Sequence, residues 1–201
     1  MAQLYTLTDD KLTPYETIEK QIIEILENGI KFVQYRSKKQ LQNKDLIKKL
    51  ISLCEDFNAK FIINDNINLA KELNAHGVHI GKDDENLNNA INFLGKKFII
   101  GVSCYNDMAL AKNAQDNGAT YVAFGSAFKS LTKPNAIVSG IEIIKKAKKE
   151  LHVPICIIGG INEENISIVA RQDPDMIAIV NAVYKPNSIT ENLINLKKKM
   201  I

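Results

Sequence analysis

Residues 31–65, KFVQYRSKKQLQNKDLIKKLISLCEDFNAKFIIND, contain the alternation that decides the fold. The stretch begins with a short apolar run, KFVQYR at 31–36, and ends with another, AKFIIND at 59–65. Near-continuous apolar runs of this kind are typical of parallel strands that are covered on both faces. Between them, the segment 41–58 has apolar residues at helical spacing and lysines on the opposite face. The stretch therefore predicts a strand, a helix and a second strand.

The same alternation repeats along the chain. Strand-like runs occur eight times, each followed by a helix-like run: 3–8, 31–36, 59–65, 77–81, 98–103, 121–126, 154–160 and 176–182. Alternation alone also allows an open, doubly wound sheet. The count of eight and a length of 201 residues, near the lower end for that fold, favour a (β/α)8 TIM barrel. Because no linker or repeat marks a second domain, we expect residues 1–201 to form a single barrel domain.

The composition excludes several classes of protein. Lys and Arg number 26 against 23 Asp and Glu, and this balance is too mild to indicate a nucleic-acid partner. No apolar run approaches the roughly 18 residues of a membrane span, and the N-terminus lacks the pattern of a signal peptide. We therefore expect a cytoplasmic protein with no membrane partner, and the pattern leaves a homo-oligomer open.

The cysteines and histidines indicate little chemistry. Three cysteines without metal spacing argue against a zinc site and a disulfide framework; Cys54 and Cys156 are expected in the core, and Cys104 follows a strand. His76 and His79 are three residues apart on one strand, so they point to opposite faces and form a poor metal pair. We identify no general acid–base pair.

The second, third and fourth strand ends carry charged groups. In a barrel the active site forms at the carboxyl ends of the strands. Alternation places Gln34, Arg36 and Lys38 on one face, where they can hold a phosphorylated ligand, although an exposed charged loop is the alternative. Asp65 and Asp84 follow the third and fourth strands. Their carboxylates suit Mg²⁺ shared with substrate phosphates, and helix capping is the alternative.

The later strand ends carry groups that suit an anion. Ser103 closes the fifth strand. The polar loop 126–140 carries two hydroxyls and an ammonium group that suit phosphate oxygens, unless the loop is simply solvated: Ser130, Thr132 and Lys133. The seventh strand ends in two glycines, 159–160, whose backbone N–H groups can face an anion. Loops after the seventh and eighth strands often form a phosphate site in this fold.

Seven segments together resemble the thiamine-phosphate synthase family. They are QYRSK (34–38), INDN (63–66), GVHIGKDD (77–84), GVS (101–103), YVAFGSAFKSLTKPNA (121–136), IGGIN (158–162) and IVNAV (179–183). The resemblance covers nearly the whole chain. It implies a transferase of thiamine biosynthesis that joins hydroxymethylpyrimidine diphosphate to hydroxyethylthiazole phosphate and releases diphosphate.

The resemblance also implies a role for each strand-end residue. The pyrimidine diphosphate would be held by Gln34, Arg36, Lys38, Asn64, Ser103 and Lys133, of which Arg36, Lys38, Ser103 and Lys133 would be catalytic. The thiazole phosphate would be bound by Ser130, Thr132, Gly160, Val180 and Asn181. Mg²⁺ would be held by Asp65 and Asp84. Diphosphate would leave first, its charge neutralised by these cations, and the thiazole nitrogen would then capture the pyrimidine methylene cation.

Some positions depart from the family pattern. Lys82 stands where the family usually has Gln, Lys129 replaces a common Pro, and Asn181 replaces a usual Ser; Cys104 and Tyr105 follow GVS. These departures leave catalytic efficiency open. The alternatives are a thiazole tautomerase-like relative, which needs no diphosphate-bound metal, and a non-catalytic barrel that binds thiamin precursors or phosphate.

Overall fold

Eight parallel strands close into a barrel in the residues that the computed structural model describes, 2–81, 87–130 and 137–201. Neighbours in sequence are neighbours in the barrel, and β8 returns to pair with β1, with Leu4 opposite Ile177. The strands are β1 (Gln3–Leu7), β2 (Phe32–Tyr35), β3 (Lys60–Asn64), β4 (Gly77–Ile80), β5 (Ile99–Tyr105), β6 (Tyr121–Phe124), β7 (Ile155–Ile158) and β8 (Met176–Ile179). The closed barrel confirms the predicted TIM fold and excludes the doubly wound sheet.

Helices follow the strands and cover the outside of the barrel. They are α1 (Ile18–Glu27), α2 (Lys44–Asp56), α3 (Ile67–Glu72), α4 (Leu87–Leu94), α5 (Met108–Asp116), α6 (Ile143–Glu150), α7 (Ile166–Ala170), α8 (Asn181–Tyr184) and α9 (Ile189–Lys199). Side-chain oxygens of Asn43, Asn66, Asp107 and Ser188 accept backbone N–H bonds at the starts of four of them. These caps satisfy N–H groups that a helix leaves unpaired in its first turn, so the loops after β2, β3 and β5 each lead into a capped helix.

The apolar core has two layers, because successive side chains of a strand point to opposite faces. The outer layer lies between sheet and helices and contains residues such as Ile22, Leu50 and Phe61. The inner layer fills the barrel with Tyr5, Leu7, Ile62, Tyr121, Ala123, Cys156, Met176 and Ala178. Cys54 and Cys104 belong to the outer layer, whereas Cys156 lies in the inner one. Small inner residues near the strand ends leave room above the tyrosines.

None of the helices in the described ranges has the length and apolar character that a membrane crossing requires.

Candidate active site

A cavity of about 450 Å³ opens at the carboxyl ends of the strands. This is the end of the barrel where the sequence placed its candidate residues. The predicted residues that line the cavity are Gln34, Arg36, Asn64, Ser103, Ser130, Gly160, Val180 and Asn181. Three further candidates, Asp84, Thr132 and Lys133, lie outside the described residues. The structure thus brings together residues from six different strand ends.

The loop after β2 carries the cationic side of the cavity. Arg36 is mostly buried, and its Nη1 lies 3.8 Å from a carboxylate oxygen of Asp9. Its backbone N–H donates to the Thr8 hydroxyl at 2.8 Å, which ties this loop to the end of β1. Lys38 lies nearer to solvent, and its ammonium group is 3.5 Å from Oδ2 of Asp65. Arg36 therefore faces the cavity directly, while Lys38 pairs with the carboxylate beside it.

Asp65 is held at the end of β3 by its backbone and its neighbours. Its φ is +64°, and its N–H donates to the carbonyl of His79 at 2.8 Å. Oδ2 accepts a hydrogen bond from Nδ2 of Asn64 at 2.5 Å. The cap of α3 is Asn66, whose side chain accepts from Leu69 N. Helix capping, the alternative considered for Asp65 from sequence, is therefore the role of the next residue.

The donor set around Asp65 fits a metal that is shared with a phosphorylated ligand. Among the described residues, no three His, Cys, Asp or Glu side chains come together as a metal cluster. Mg²⁺ typically uses only one or two protein carboxylates and completes its shell with water and substrate phosphates. Asp65 and Lys38 do not line the cavity themselves, but Asp65 directly follows the lining residue Asn64 and lies 3.5 Å from the ammonium group of Lys38. A single carboxylate at this position is compatible with that pattern. The second predicted ligand, Asp84, lies outside the described residues.

The opposite wall is built by the loop after β6 packing on the end of β7. The N–H groups of Ala127 and Phe128 donate to the carbonyls of Ile158 and Gly159, both at 2.9 Å. Gly160 has φ of +64°, and a Cβ there would overlap the backbone of Phe128 and the carbonyl oxygen of Lys129. Only glycine permits this close approach. The packing places the buried Ser130 in the same cavity wall as Gly160.

The floor of the cavity is a line of hydrogen-bonded side chains across the barrel interior, in which Gln34, Tyr5, His79 and Ser103 line the cavity and Tyr121 lies behind them. Nε2 of Gln34 donates to the Tyr5 hydroxyl at 2.8 Å, and the Tyr5 and Tyr121 hydroxyls are 3.0 Å apart. The Tyr121 hydroxyl bonds Nδ1 of His79 at 2.8 Å, and Nε2 of His79 bonds Oγ of Ser103 at 2.9 Å. Burial raises the pKa of both tyrosines well above the ordinary value, so both hydroxyls keep their protons.

Three of these floor residues were not predicted from sequence. The sequence pattern gives His79 no role, yet His79 lines the cavity and bonds Ser103. His76 points to the other face, where its Nδ1 accepts from Phe61 N at 3.1 Å. Tyr5 and Tyr121 lie in apolar runs, and only their position on the inward face distinguishes them. Strand alternation, followed through β1, β4 and β6, is the signal that could have found them.

The positions that depart from the family pattern have different surroundings. Lys129 is exposed at the rim, and Asn181 lines the cavity. Cys104 is fully buried in the outer layer, and burial raises the pKa of its thiol to about 12. Tyr105 is 44% exposed and lines the cavity with φ of +54°. Lys82 lies outside the described residues. Cys104 is therefore a protonated core thiol, as Cys54 is.

The fold and the cavity define a (β/α)8 barrel enzyme whose strand-end site is polar on its walls and neutral on its floor. A family model described as thiamine monophosphate synthase matches residues 4–183. The chain belongs to the thiamine-phosphate synthase family. The predicted class, a transferase of thiamine biosynthesis, is confirmed by this match and by the relatives described next.

Two curated relatives and one solved structure are similar over most of their length. A thiamine-phosphate synthase of Nitrosococcus oceani is 38% identical over 188 residues, which are 92% of this chain and 87% of the relative. One of Thioalkalivibrio sulfidiphilus is 38% identical over 183 residues, covering 90% and 87%. The thiamine phosphate pyrophosphorylase structure of Pyrococcus furiosus has a TM-score of 0.87 at 29% identity, covering 98% of this chain and 95% of that one.

Proposed function

We propose that the strand-end cavity carries out the thiamine-phosphate synthase reaction as a dissociative substitution. The C–O bond to diphosphate breaks first, and the electron pair leaves with diphosphate. The lone pair of the thiazole nitrogen then forms the C–N bond to the pyrimidine methylene cation. One observation carries this proposal: a single cavity is lined by the guanidinium of Arg36 on one side and by the backbone of Gly160 on another, which we call the amide-rich side. Uncharged side chains such as Tyr5 and Gln34 form its floor.

Arg36 and Lys38 bind and neutralise the leaving group in this proposal. The guanidinium lies at the cavity wall and is oriented by Asp9, while Lys38 lies beside Asp65. Fixed cations aimed at the charge that develops on a leaving group are among the strongest catalytic contributions. Asn64 orients Asp65 through its amide. Lys133, which lies outside the described residues, is included in this role on the resemblance alone.

Asp65 and Asp84 hold Mg²⁺ in this proposal, and the ammonium group of Lys38 lies 3.5 Å from Oδ2 of Asp65. The ion supplies charge neutralisation and orientation of the diphosphate oxygens when it is bound. Asp65 contributes a carboxylate whose position is restrained by Asn64 and by the backbone bond to His79. The assignment of Asp84 rests on the resemblance alone.

The proposed reaction requires no proton transfer by the protein, and the uncharged side chains of the cavity floor are compatible with such a reaction. Both floor tyrosines stay protonated, and the thiazole nitrogen attacks through a lone pair without losing a proton. Gln34 and Ser103 offer hydrogen bonds to the pyrimidine at the two ends of the floor. Apolar groups such as Ile158, Ala178 and Ile179 line the cavity and exclude water from the cation. The protein's task is therefore mainly to position the two substrates.

The amide-rich side binds the thiazole phosphate in this proposal. The N–H of Gly160 has no acceptor among the described residues, so it can donate to a phosphate oxygen. Ser130 lies in the same wall, and Val180 and Asn181 follow β8 at the adjacent strand end. Thr132, outside the described residues, completes the proposed set. Backbone N–H groups and hydroxyls at strand ends seven and eight are the usual phosphate donors of this fold.

Arg36→Ala tests the proposed diphosphate side. Diphosphate release is measured with both substrates and Mg²⁺, and thiamin phosphate is identified by mass spectrometry. We expect turnover to fall by about 100-fold or more, because one fixed donor to the developing charge is lost. The matched control is Arg171→Ala, which removes an exposed arginine beyond α7 and should keep near-normal turnover. Normal diphosphate release by folded Arg36→Ala protein would show that the assignment is wrong.

A further inference from the structure

Three residues of the cavity floor have no part in the proposed substrate contacts. Tyr5, Tyr121 and His79 come from β1, β6 and β4, and each is buried. Together they connect Gln34 on β2 with Ser103 on β5 through four hydrogen bonds of 2.8 to 3.0 Å. We call these five side chains the floor relay. The rings also pack: His79 stacks on Tyr121 with centroids 5.5 Å apart. The geometry of the relay is thus defined by packing as well as by hydrogen bonds.

The direction of each hydrogen bond in the floor relay depends on the direction of the next. A tyrosine hydroxyl has one proton to donate, and a neutral imidazole has one N–H, so the other ring nitrogen must accept. When Gln34 donates to Tyr5, Tyr5 must donate to Tyr121, and Tyr121 to Nδ1 of His79. Nε2–H of His79 then donates to Ser103. Every bond in the relay is satisfied by this single sense of donation.

The two ends of the floor relay consequently offer opposite groups to the cavity. In the sense just described, Gln34 offers its amide oxygen as an acceptor and Ser103 offers its hydroxyl as a donor. Reversing every bond, with the Gln34 amide turned over, exchanges these roles. An arrangement in which Ser103 donates to the cavity while the Gln34 amide oxygen is used inside the relay puts two donors or two lone pairs against each other, and so does an arrangement in which the Ser103 proton and a Gln34 N–H are both used inside the relay. Such a conflict is costly in a buried network.

We propose that Tyr5, Tyr121 and His79 are positioning residues that couple the donor or acceptor character of Gln34 to that of Ser103. The floor then selects a ligand edge that has one donor and one acceptor. An aminopyrimidine has such an edge: its amino group donates to the Gln34 oxygen, and its ring nitrogen accepts from Ser103. This inference rests on the proposed function, because it takes the pyrimidine to lie between these two residues.

Removing one tyrosine hydroxyl from the floor relay should have the same effect as removing both. Tyr121→Phe and Tyr5→Phe each remove one hydroxyl and keep the ring. We expect each to raise the KM for the pyrimidine diphosphate by about tenfold, the effect of one lost buried hydrogen bond, with the KM for the thiazole phosphate unchanged. The KM of the double variant for the pyrimidine diphosphate should also rise by about tenfold, because the second substitution removes a hydroxyl from a relay that the first has already interrupted. Independent structural roles would instead multiply to about 100-fold.

Tyr35→Phe is the matched control. Tyr35 is also a buried tyrosine, but its hydroxyl bonds Gln42 at 3.0 Å on the outer face of β2. It loses the same group without touching the floor relay, so both KM values should stay near wild type. Circular dichroism and thermal unfolding establish that each variant is folded. Should Tyr121→Phe fail to fold, Tyr5→Phe breaks the same relay at its other tyrosine.

A pyrimidine diphosphate that lacks the amino group supplies the second measurement. We expect the wild type to prefer the amino substrate in kcat/KM, and both relay variants to lose about tenfold of that preference. Unchanged preference in the variants, or a double variant with multiplied effects, would overturn the inference. Arg36→Ala distinguishes this result from a failure of the proposed function. If diphosphate release falls strongly in Arg36→Ala, the proposed reaction site is supported and only the floor relay is wrong.

Discussion

At the scale of single residues, the absence of a side chain at Gly101 of β5 leaves the space that the Tyr121 ring occupies. It pairs with Tyr121 in the β5–β6 register, and a Cβ at Gly101 would overlap the end of the Tyr121 ring and its hydroxyl. Tyr121 is buried and bonded to Tyr5 and His79, so it cannot swing away without breaking those bonds. Gly101 is therefore part of the site, although it contributes no side chain.

We expect Gly101→Ala to lower the free energy of unfolding by about 1–3 kcal/mol, the usual effect of inserting a methyl group into a packed core. The KM for the pyrimidine diphosphate should rise as well, because the Tyr121 hydroxyl is displaced. Urea denaturation and steady-state kinetics measure the two effects. Gly95→Ala is the control for the KM effect: nothing lies within 4 Å of the added Cβ, so the KM should stay near wild type even though the backbone at φ of +85° is strained and stability falls. A Gly101→Ala protein as stable as the wild type would contradict the packing argument.

Asp65 provides the residue-scale test of the metal proposal. Asn has the same shape and tolerates a positive φ, so Asp65→Asn removes charge while keeping the backbone. We expect EDTA to weaken binding of the pyrimidine diphosphate to the wild type, and Asp65→Asn to bind about tenfold more weakly in Mg²⁺. Calorimetry measures both effects without turnover. Asp56→Asn, an exposed carboxylate at the end of α2, is the control and should bind normally. Binding by the wild type that is indifferent to EDTA would show the metal assignment to be wrong.

At the scale of elements, strands and helices could be predicted, but the ends of strands could not. The runs 31–36, 121–126 and 176–182 contain β2, β6 and β8, yet each strand stops earlier, at Tyr35, Phe124 and Ile179. A parallel strand ends where the chain leaves its neighbour's ladder, and the apolar pattern continues beyond that point. In the last run Asn181 already begins α8. The residues after each strand are nevertheless those that line the cavity.

The interior of the barrel could not be predicted because its contacts join distant elements. Tyr5 and Tyr121 are 116 residues apart, and nothing local in either apolar run distinguishes a hydroxyl that meets another from one that reaches solvent. The residues at the cavity rim could be predicted, because barrel active sites form at strand ends and the residues that follow each strand can be recognised from its own local sequence. Sequence therefore found Gln34 and Ser103, the two ends of the floor relay, and missed the three side chains between them.

At the scale of the whole molecule, the two core layers include residues from Leu4 in β1 to Leu196 in α9. Every strand shares these layers with its neighbours, so no part of the barrel that the structure describes has a core of its own. We propose on this basis that residues 1–201 fold as one domain. A single cooperative unfolding transition is then expected.

Buried cysteine thiols and tyrosine hydroxyls make the stability of the folded protein depend on pH. Burial raises the pKa of the Cys54 and Cys104 thiols to about 12 and raises the pKa of Tyr5 and Tyr121 above the ordinary value for tyrosine. In the unfolded chain these groups lose their protons above about pH 9 to 10, whereas the folded protein retains them. The unfolded state then binds fewer protons, so the free energy of unfolding falls as pH rises. The stabilisation is fully present below about pH 8.5 and is lost towards about pH 12.

We therefore expect the free energy of unfolding to be constant near neutrality and to fall above about pH 9, by about 1.4 kcal/mol per pH unit for each group that titrates only in the unfolded chain. Urea denaturation followed by circular dichroism, at steps between about pH 7 and pH 10.5, measures this slope. Cys54→Ala removes one such group from the outer layer. It should lower stability at neutral pH through lost packing, yet show a shallower decline at high pH because one proton fewer separates the two states. A stability that is flat across the whole range would mean that these groups reach solvent in the folded protein.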